Sequence, residues 1–322
     1  MLNYHRTQVI FRRIGLVVLS ALVLAGVSLA VLVLNAEAKR FKGGPGCGGT
    51  LATLLASAED GDTLEVLTGP GVWPSDGAVI TKNVIIEGGW KLISPTCISS
   101  DTSSSTFIWP AERSIIGDAS GSVVTIDPSV LSLTMRYLDI VNTGVSATTG
   151  GGITGVISNG GRVLLENVVI TDSFVSDNGG GMYLEVRGGS QLIISNTQIS
   201  TNTSNNQGGG FEIRVYDGSQ VIIKNSQVFG NRALDGNGGG GRILIDRGTV
   251  TIAGSTFFDN LANQGNGGGL SVEAIGSGPA YLILQSSVIS GNDATLNDKN
   301  LHISGTITLL DKQIFLPILF KN

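Results

Sequence analysis

From residue 150 onward, apolar and polar residues alternate in runs of about five, the period-two pattern of a strand with one buried face. Each run follows a glycine triplet, at Gly150–Gly152, Gly179–Gly181, Gly208–Gly210, Gly238–Gly240 and Gly267–Gly269. The triplets recur at steps of 29, 29, 30 and 29 residues. Ile153, Met182, Phe211, Gly241 and Leu270 share the first position after the triplet. Leu184, Ile213, Ile243 and Val272 share the third, with Gly155 in the first copy, and Ile157, Val186, Val215, Ile245 and Ala274 share the fifth. A turn such as Asp217-Gly218 or Arg247-Gly248 leads to a second strand, at Val163–Glu166, Leu192–Ser195, Val221–Lys224, Val250–Ala253 and Leu282–Gln285. A third, shorter strand ends at Ile170, Ile199, Val228, Phe257 and Ile289.

Two asparagine rows keep the same register. Asn167, Asn196 and Asn225 are followed by Gly254 and Ser286, at steps of 29, 29, 29 and 32. Asn202, Asn231, Asn260 and Asn292 step by 29, 29 and 32. Both longer steps arise from one lengthened turn, Gly276-Ser277-Gly278-Pro279. Three short strands cannot bury their inner faces alone, so the repeats must stack, with successive coils about 4.8 Å apart. The expected fold is all-β: a parallel β-helix of three parallel sheets, about 29 residues per coil. Both asparagine rows read as structural ladders, because a side-chain amide at the same turn of every coil can bond its counterparts and the turn backbone.

The N-terminal part predicts the first coils. Thr50–Ala58 is amphipathic and ends at Glu59-Asp60-Gly61-Asp62, which reads as a helix capping the open end of the stack. Thr63–Leu67, Val84–Glu87, Val123–Ile126 and Leu133–Leu138 are strand candidates, and Asp101–Thr106 a polar excursion. Leu301, Ile303, Ile307 and Leu309 suggest a last partial coil. The apolar tail Ile314–Phe320 reads as a cap on it, with a sorting or anchoring signal as the alternative.

Residues 1–38 read as a leader rather than fold. Arg6, Arg12 and Arg13 precede an uncharged run, Ile14–Leu34, and then Ala36-Glu37-Ala38, a small-residue cleavage site of the export type. Cleavage after Ala38 is the expectation. The run is also long enough to span a bilayer as an uncleaved anchor. The domain plan is therefore a leader over 1–38, a β-helix with its cap over 39–310 and an apolar tail over 311–322.

Composition narrows the function. Glycine supplies 47 of 322 residues, about twice its usual share, without the every-third-residue rule of collagen. The net charge of −5 becomes −7 once three arginines and one glutamate leave with the leader. An acidic chain is a poor partner for nucleic acid. Cys47 and Cys97 are the two cysteines. In an oxidising compartment they could pair, with two separate buried thiols as the alternative; a pair is expected if the helix caps the first coils.

The repeats resemble those of bacterial secreted right-handed parallel β-helix proteins, with a pectate-lyase-like fold. The likeness is greatest to the polymorphic outer-membrane proteins and related adhesins, whose glycine-glycine-apolar motif alternates with Phe-x-x-Asn. Phe257-Phe258-Asp259-Asn260 matches in full. Ile199…Asn202, Val228…Asn231 and Ile289…Asn292 match with an aliphatic residue in the aromatic's place, and Val84–Trp90 (VIIEGGW) matches the step that opens such domains. The resemblance implies the fold and a right-handed coil. It implies little about function, since this fold hosts lyases, hydrolases, adhesins and coats. No region is left for a membrane β-barrel, so a self-transporting adhesin is not expected.

Enzymes of this fold use calcium-binding acidic clusters with a basic residue, or paired aspartates with Gly-His-Gly. The sequence has no Asp-Asp pair and no Gly-His-Gly, and His302 is the one histidine beyond the leader. The glycine triplets lack the Lys-Ser/Thr of a phosphate loop. Asp172, Asp177, Asp235 and Asp259 read as solvated turn residues rather than calcium ligands. The best charged surface is the outward row of the first strand, where Glu185 should neighbour Arg214, and Glu212 should neighbour Arg242, with Glu273 beyond. It reads as cross-strand ion pairs, and as a strip for sugar hydroxyls or uronates in the sharper alternative, with Tyr183 and Tyr216 as its aromatics. A row of aliphatics on the second strand, Leu164, Ile193, Ile222 and Ile283, interrupted by Thr251, reads as a ladder or a contact patch. The expected function is a secreted or cell-surface protein without catalysis or cofactor, serving adhesion, glycan contact or structure. The alternative is a polysaccharide lyase or glycoside hydrolase. The expected partner is an extracellular glycan or surface component, with membrane contact only through an uncleaved leader.

Overall fold

The computed structural model describes residues 40–43, 49–69, 71–92, 105–107, 113–118, 121–142, 144 and 147–311. The leader, both cysteines and the apolar tail lie outside the described residues, and so does their expected pairing or capping.

The described chain is a parallel β-helix. Strands pair with the equivalent strand one coil on, so Ile153, Met182, Phe211, Gly241 and Leu270 lie in one register. Hydrogen bonds between coils therefore run along the axis of the stack. The strands form three hydrogen-bonded sheets. The largest wraps two faces, because Phe211–Lys224 and Gly241–Ala253 run continuously through the turn between first and second strands. A second sheet holds the third strands. A third, of two-residue strands at Phe174–Val175, Thr203–Ser204, Arg232–Ala233, Leu261–Ala262 and Asp293–Ala294, follows the Asn202 row and adds a fourth segment to each coil.

The inward columns form one continuous core. Phe211 is fully buried beside Gly241, where a Cβ would overlap its ring. Phe257 meets it edge-on at 6.4 Å between centroids. A large ring in one coil is thus matched by an absent side chain in the next, which keeps the core at close-packed density.

Each glycine of a triplet answers a different constraint. In the Phe211 coil, Gly208 has φ +65°, a conformation glycine adopts without a Cβ clash. A Cβ on Gly209 would strike the Arg232 backbone, and one on Gly210 would lie 2.9 Å from Asn231 Cγ. The backbone there lies flat against the buried asparagine row.

That row is a side-chain ladder. Asn202, Asn231 and Asn260 each donate from Nδ2 to Oδ1 of the next asparagine at 2.9–3.0 Å, ending on Asn292. Each amide also donates to a carbonyl of the preceding coil, Ile170, Ile199 and Val228 in turn. Asn292 continues the ladder to Asn300.

The other row works through its backbone. Asn167, Asn196 and Asn225 have φ between +50° and +53°, and Tyr137, Gly254 and Ser286 in the same corner are also left-handed, at +57°, +57° and +47°. Asparagine suits this left-handed corner, and the side chains of Asn196 and Asn225 face solvent. The ladder expected of Asn167, Asn196 and Asn225 is instead made one residue later by buried hydroxyls. Ser226, Ser255 and Ser287 each accept from the backbone N–H of the preceding coil at 3.1–3.2 Å. The same corner breaks the strand expected over 133–138 into Ser132–Arg136 and Leu138–Asn142, with Tyr137 at φ +57° between them.

The helix spans Leu51–Ser57. Thr50 and Thr53 form a reciprocal capping box, and Leu51 and Leu55 are buried on the core cluster. Lys82 Nζ donates to the Ala58 carbonyl at the helix end. The opposite end of the described stack is more open: Ile303 and Leu309, in core columns, are 39% and 45% exposed.

Candidate functional site

The first-strand row assembles three carboxylates and two guanidiniums over four adjoining strands. Register places Glu185 beside Arg214, Glu212 beside Arg242, and Leu244 between Arg214 and Glu273. Glu212 is the centre, accepting from Arg214 Nε at 2.8 Å on its own strand and from Arg242 Nη1 at 3.3 Å on the next. Arg242 then grips Glu273 with two bonds, Nε to Oε1 at 2.9 Å and Nη2 to Oε2 at 2.8 Å. Asn237 Nδ2 and Ser271 Oγ donate to the same Oε1. Glu185 lies at the margin, 4.0 Å from Arg214 Nη1.

This row is not the open charged surface expected from strand alternation. Glu212 is fully buried and Arg242 nearly so. Alternation gives the direction of a side chain, whereas its burial depends on the long arginines folded over it. The electrostatics follow from that enclosure. Burial opposes ionisation of Glu273, but Arg242, Asn237 and Ser271 overcome it and hold the carboxyl below its usual range. Burial likewise opposes the charges of Arg214 and Arg242, and their carboxylate partners more than offset it. Tyr183, with Arg214 5.1 Å from its ring centroid, is pushed up to about 12 by burial. A general acid for neutral pH needs a carboxyl raised towards 7; Glu273 is shifted the other way. Chemically the row is a set of clamped charges.

A second cluster was not singled out in the sequence. Glu65 and Glu87 point outward on neighbouring strands in register, yet are 1% and 5% exposed. Glu87 accepts from Arg136 Nη2 at 2.7 Å and from Trp90 Nε1 at 3.2 Å. The VIIEGGW segment was legible as strand, but pairing Glu87 with Arg136 needs a register across 49 residues without a repeat to fix it. His302 Nδ1 donates to Asp298 Oδ2, 2.6 Å away, in the last coil.

The second and third strands meet at the Asn196 corner and enclose a shallow groove of about 230 Å³. Arg113, Asn196, Asn225, Gln198, Gln227 and buried Thr197 line it. Beside it, Phe229 and Phe258 stack at 4.9 Å with an interplanar angle of 10°. These two half-exposed rings are an aromatic feature that the sequence reading passed over, since the Phe-x-x-Asn match fell on buried Phe257. The aliphatic row Leu164, Ile193, Ile222 and Ile283 runs up the second strand in register, and Ile193 is 8% exposed. Thr251 interrupts the row between Ile222 and Ile283, and Leu164, Ile222 and Ile283 are half-buried. Among the described residues, no group of three or more His, Cys, Asp or Glu side chains is placed to hold a metal ion, and no helix is long and apolar enough to cross a membrane.

No protein-family model matches the chain, and no curated protein matches it. Among solved structures it is similar to the enzymatically active domain of tailspike protein 2 of bacteriophage CBA120, with 13% identity and a TM-score of 0.37 over 86% of this chain. The chain spans 47% of that structure.

Proposed function

We infer that the protein is a secreted or cell-surface β-helix that acts by contact, in adhesion, glycan binding or a structural coat, without catalysis of its own. The observation that carries this reading is Glu212: the central carboxylate of the charged row is fully buried and shared by two arginines. A carboxylate held this way is a strut, since it meets neither solvent nor substrate. The export-type leader supports an address outside the cytoplasm, with the β-helix following as the working part. The net negative charge supports a partner other than nucleic acid.

The rival reading, cleavage of polysaccharide, has one observation in its favour. Glu65 and Glu87 are outward carboxylates on adjoining strands, and glycoside hydrolysis uses carboxyl pairs. One assay separates the two. The chain without residues 1–38 is incubated with pectate, alginate and neutral glucans, with calcium, and new reducing ends and unsaturated ends are followed. No cleavage is expected. Cleavage abolished by Glu87→Gln, or by Glu185→Gln, Glu212→Gln or Glu273→Gln, would move the protein to the polysaccharide-degrading enzymes.

A further inference from the structure

The groove at the Asn196 corner carries the same pair of amides in two adjacent coils, beside Val168 and Val169. Gln198 and Gln227 are register partners on the third strands. Asn196 and Asn225 occupy the same left-handed corner one coil apart. Two adjacent coils thus present two amides each, about 4.8 Å apart, while the same positions hold Asn167 and Val169 in the coil before and Gly254 and Thr256 in the coil after. The left-handed φ turns the asparagine side chains out of the sheet, which is why a corner built by backbone also carries exposed amides.

Charge in the groove is balanced. Arg113, at its lower end, is paired with Asp139 at 3.0 Å. The remaining polar lining is amide and hydroxyl. Gln198 Nε2 donates to Ser200 Oγ at 2.9 Å, which fixes that amide plane. Two residues along the same strand face, Gln227 is followed by Phe229, whose ring stacks on Phe258.

A ligand for such a surface needs donors and acceptors along one side, C–H surface along another, and no net charge. Amides offer both donor and acceptor, and aromatic rings take apolar contact. We propose that this groove binds a neutral glycan chain lying along the axis of the stack, its hydroxyls on the paired amides of successive coils and its C–H surface against Phe229 and Phe258. The proposal rests on the contact reading above and names its surface and ligand class. The amides span two coils and Phe258 lies on a third, so the contact is short and takes only a few sugar units at once.

The test uses the chain without residues 1–38 and titrates cello-, malto- and manno-hexaose, with hexagalacturonate as the charged comparison, by calorimetry. The wild type should bind at least one neutral hexaose in preference to hexagalacturonate. Gln198→Ala with Gln227→Ala should weaken that binding at least tenfold, and Phe229→Ala at least threefold. All these residues sit on the outer face, and unchanged circular dichroism and melting would verify the fold. Arg214→Gln, in the first-strand row, should leave the binding unchanged. Binding that survives the glutamine variants but falls in Arg214→Gln would overturn the groove while keeping the contact reading. Binding of hexagalacturonate alone would overturn the neutral-glycan assignment in the same way. If no hexaose binds, the groove assignment falls, and the cleavage assay above decides separately on the contact reading.

Discussion

At the scale of single residues, the fold depends on matched neighbours. Phe211 fills the space that Gly241 leaves, so Phe211→Ala should cost about 3–5 kcal/mol, the range for deleting a buried aromatic. A thermal or denaturant melt reads this directly, and an unchanged melt would contradict the packing. Tyr183 supplies a second test. Its phenol is raised to about 12 by burial, with Arg214 opposing, from an ordinary value near 10. A folded-state pKa raised above the unfolded one gives stability that is intact below about pH 10 and is lost as pH rises through the folded value. Burial raises Tyr137 and Tyr216 as well, so an ultraviolet titration should show delayed ionisation with Tyr183 last, and Tyr183→Phe should remove the latest step.

At the scale of elements, the two corners distinguish a row used for its side chains from one used for its backbone. Asn231 satisfies buried groups on both sides, so Asn231→Ala strands the Asn202 amide and the Ile199 carbonyl. Each buried polar group left alone costs about 1–3 kcal/mol, and a loss of roughly 2–4 kcal/mol is expected on melting. Asn225→Gly should be close to neutral, because glycine takes a positive φ freely, whereas Asn225→Val should destabilise by about 1–2 kcal/mol. Equal costs for Asn225→Gly and Asn231→Ala would show that the corners are alike. The sequence displayed both rows with the same spacing, and spacing alone could not say which asparagine turned inward. The strands were legible because a period of two and a period of 29 reinforce each other. The hydroxyl row Thr197, Ser226, Ser255 and Ser287 was not, because serine is as common in exposed turns as in buried ones. Glu212 was legible as outward-pointing but not as buried, since the arginines that enclose it come from its own strand and the next coil.

At the scale of the whole molecule, coils interact with the coils beside them, so the stack behaves as a near one-dimensional array. Removal of residues 179–207, one period of 29, joins Asn178 to Gly208 and returns every later residue to an equivalent position. The shortened chain should still fold, with the same circular dichroism shape and a lower melting temperature. Loss of cooperative unfolding would show that the coils are not interchangeable.

The direction of the inter-coil hydrogen bonds has a mechanical meaning. Because they lie along the axis, a force that draws the two chain ends apart loads the outermost coil alone, and its bonds open in sequence rather than all together. Stretching a single molecule should then give a train of small, similar force peaks. Each should release one coil of 29 residues, about 100 Å of extended chain. The wall would peel like a spring paid out turn by turn.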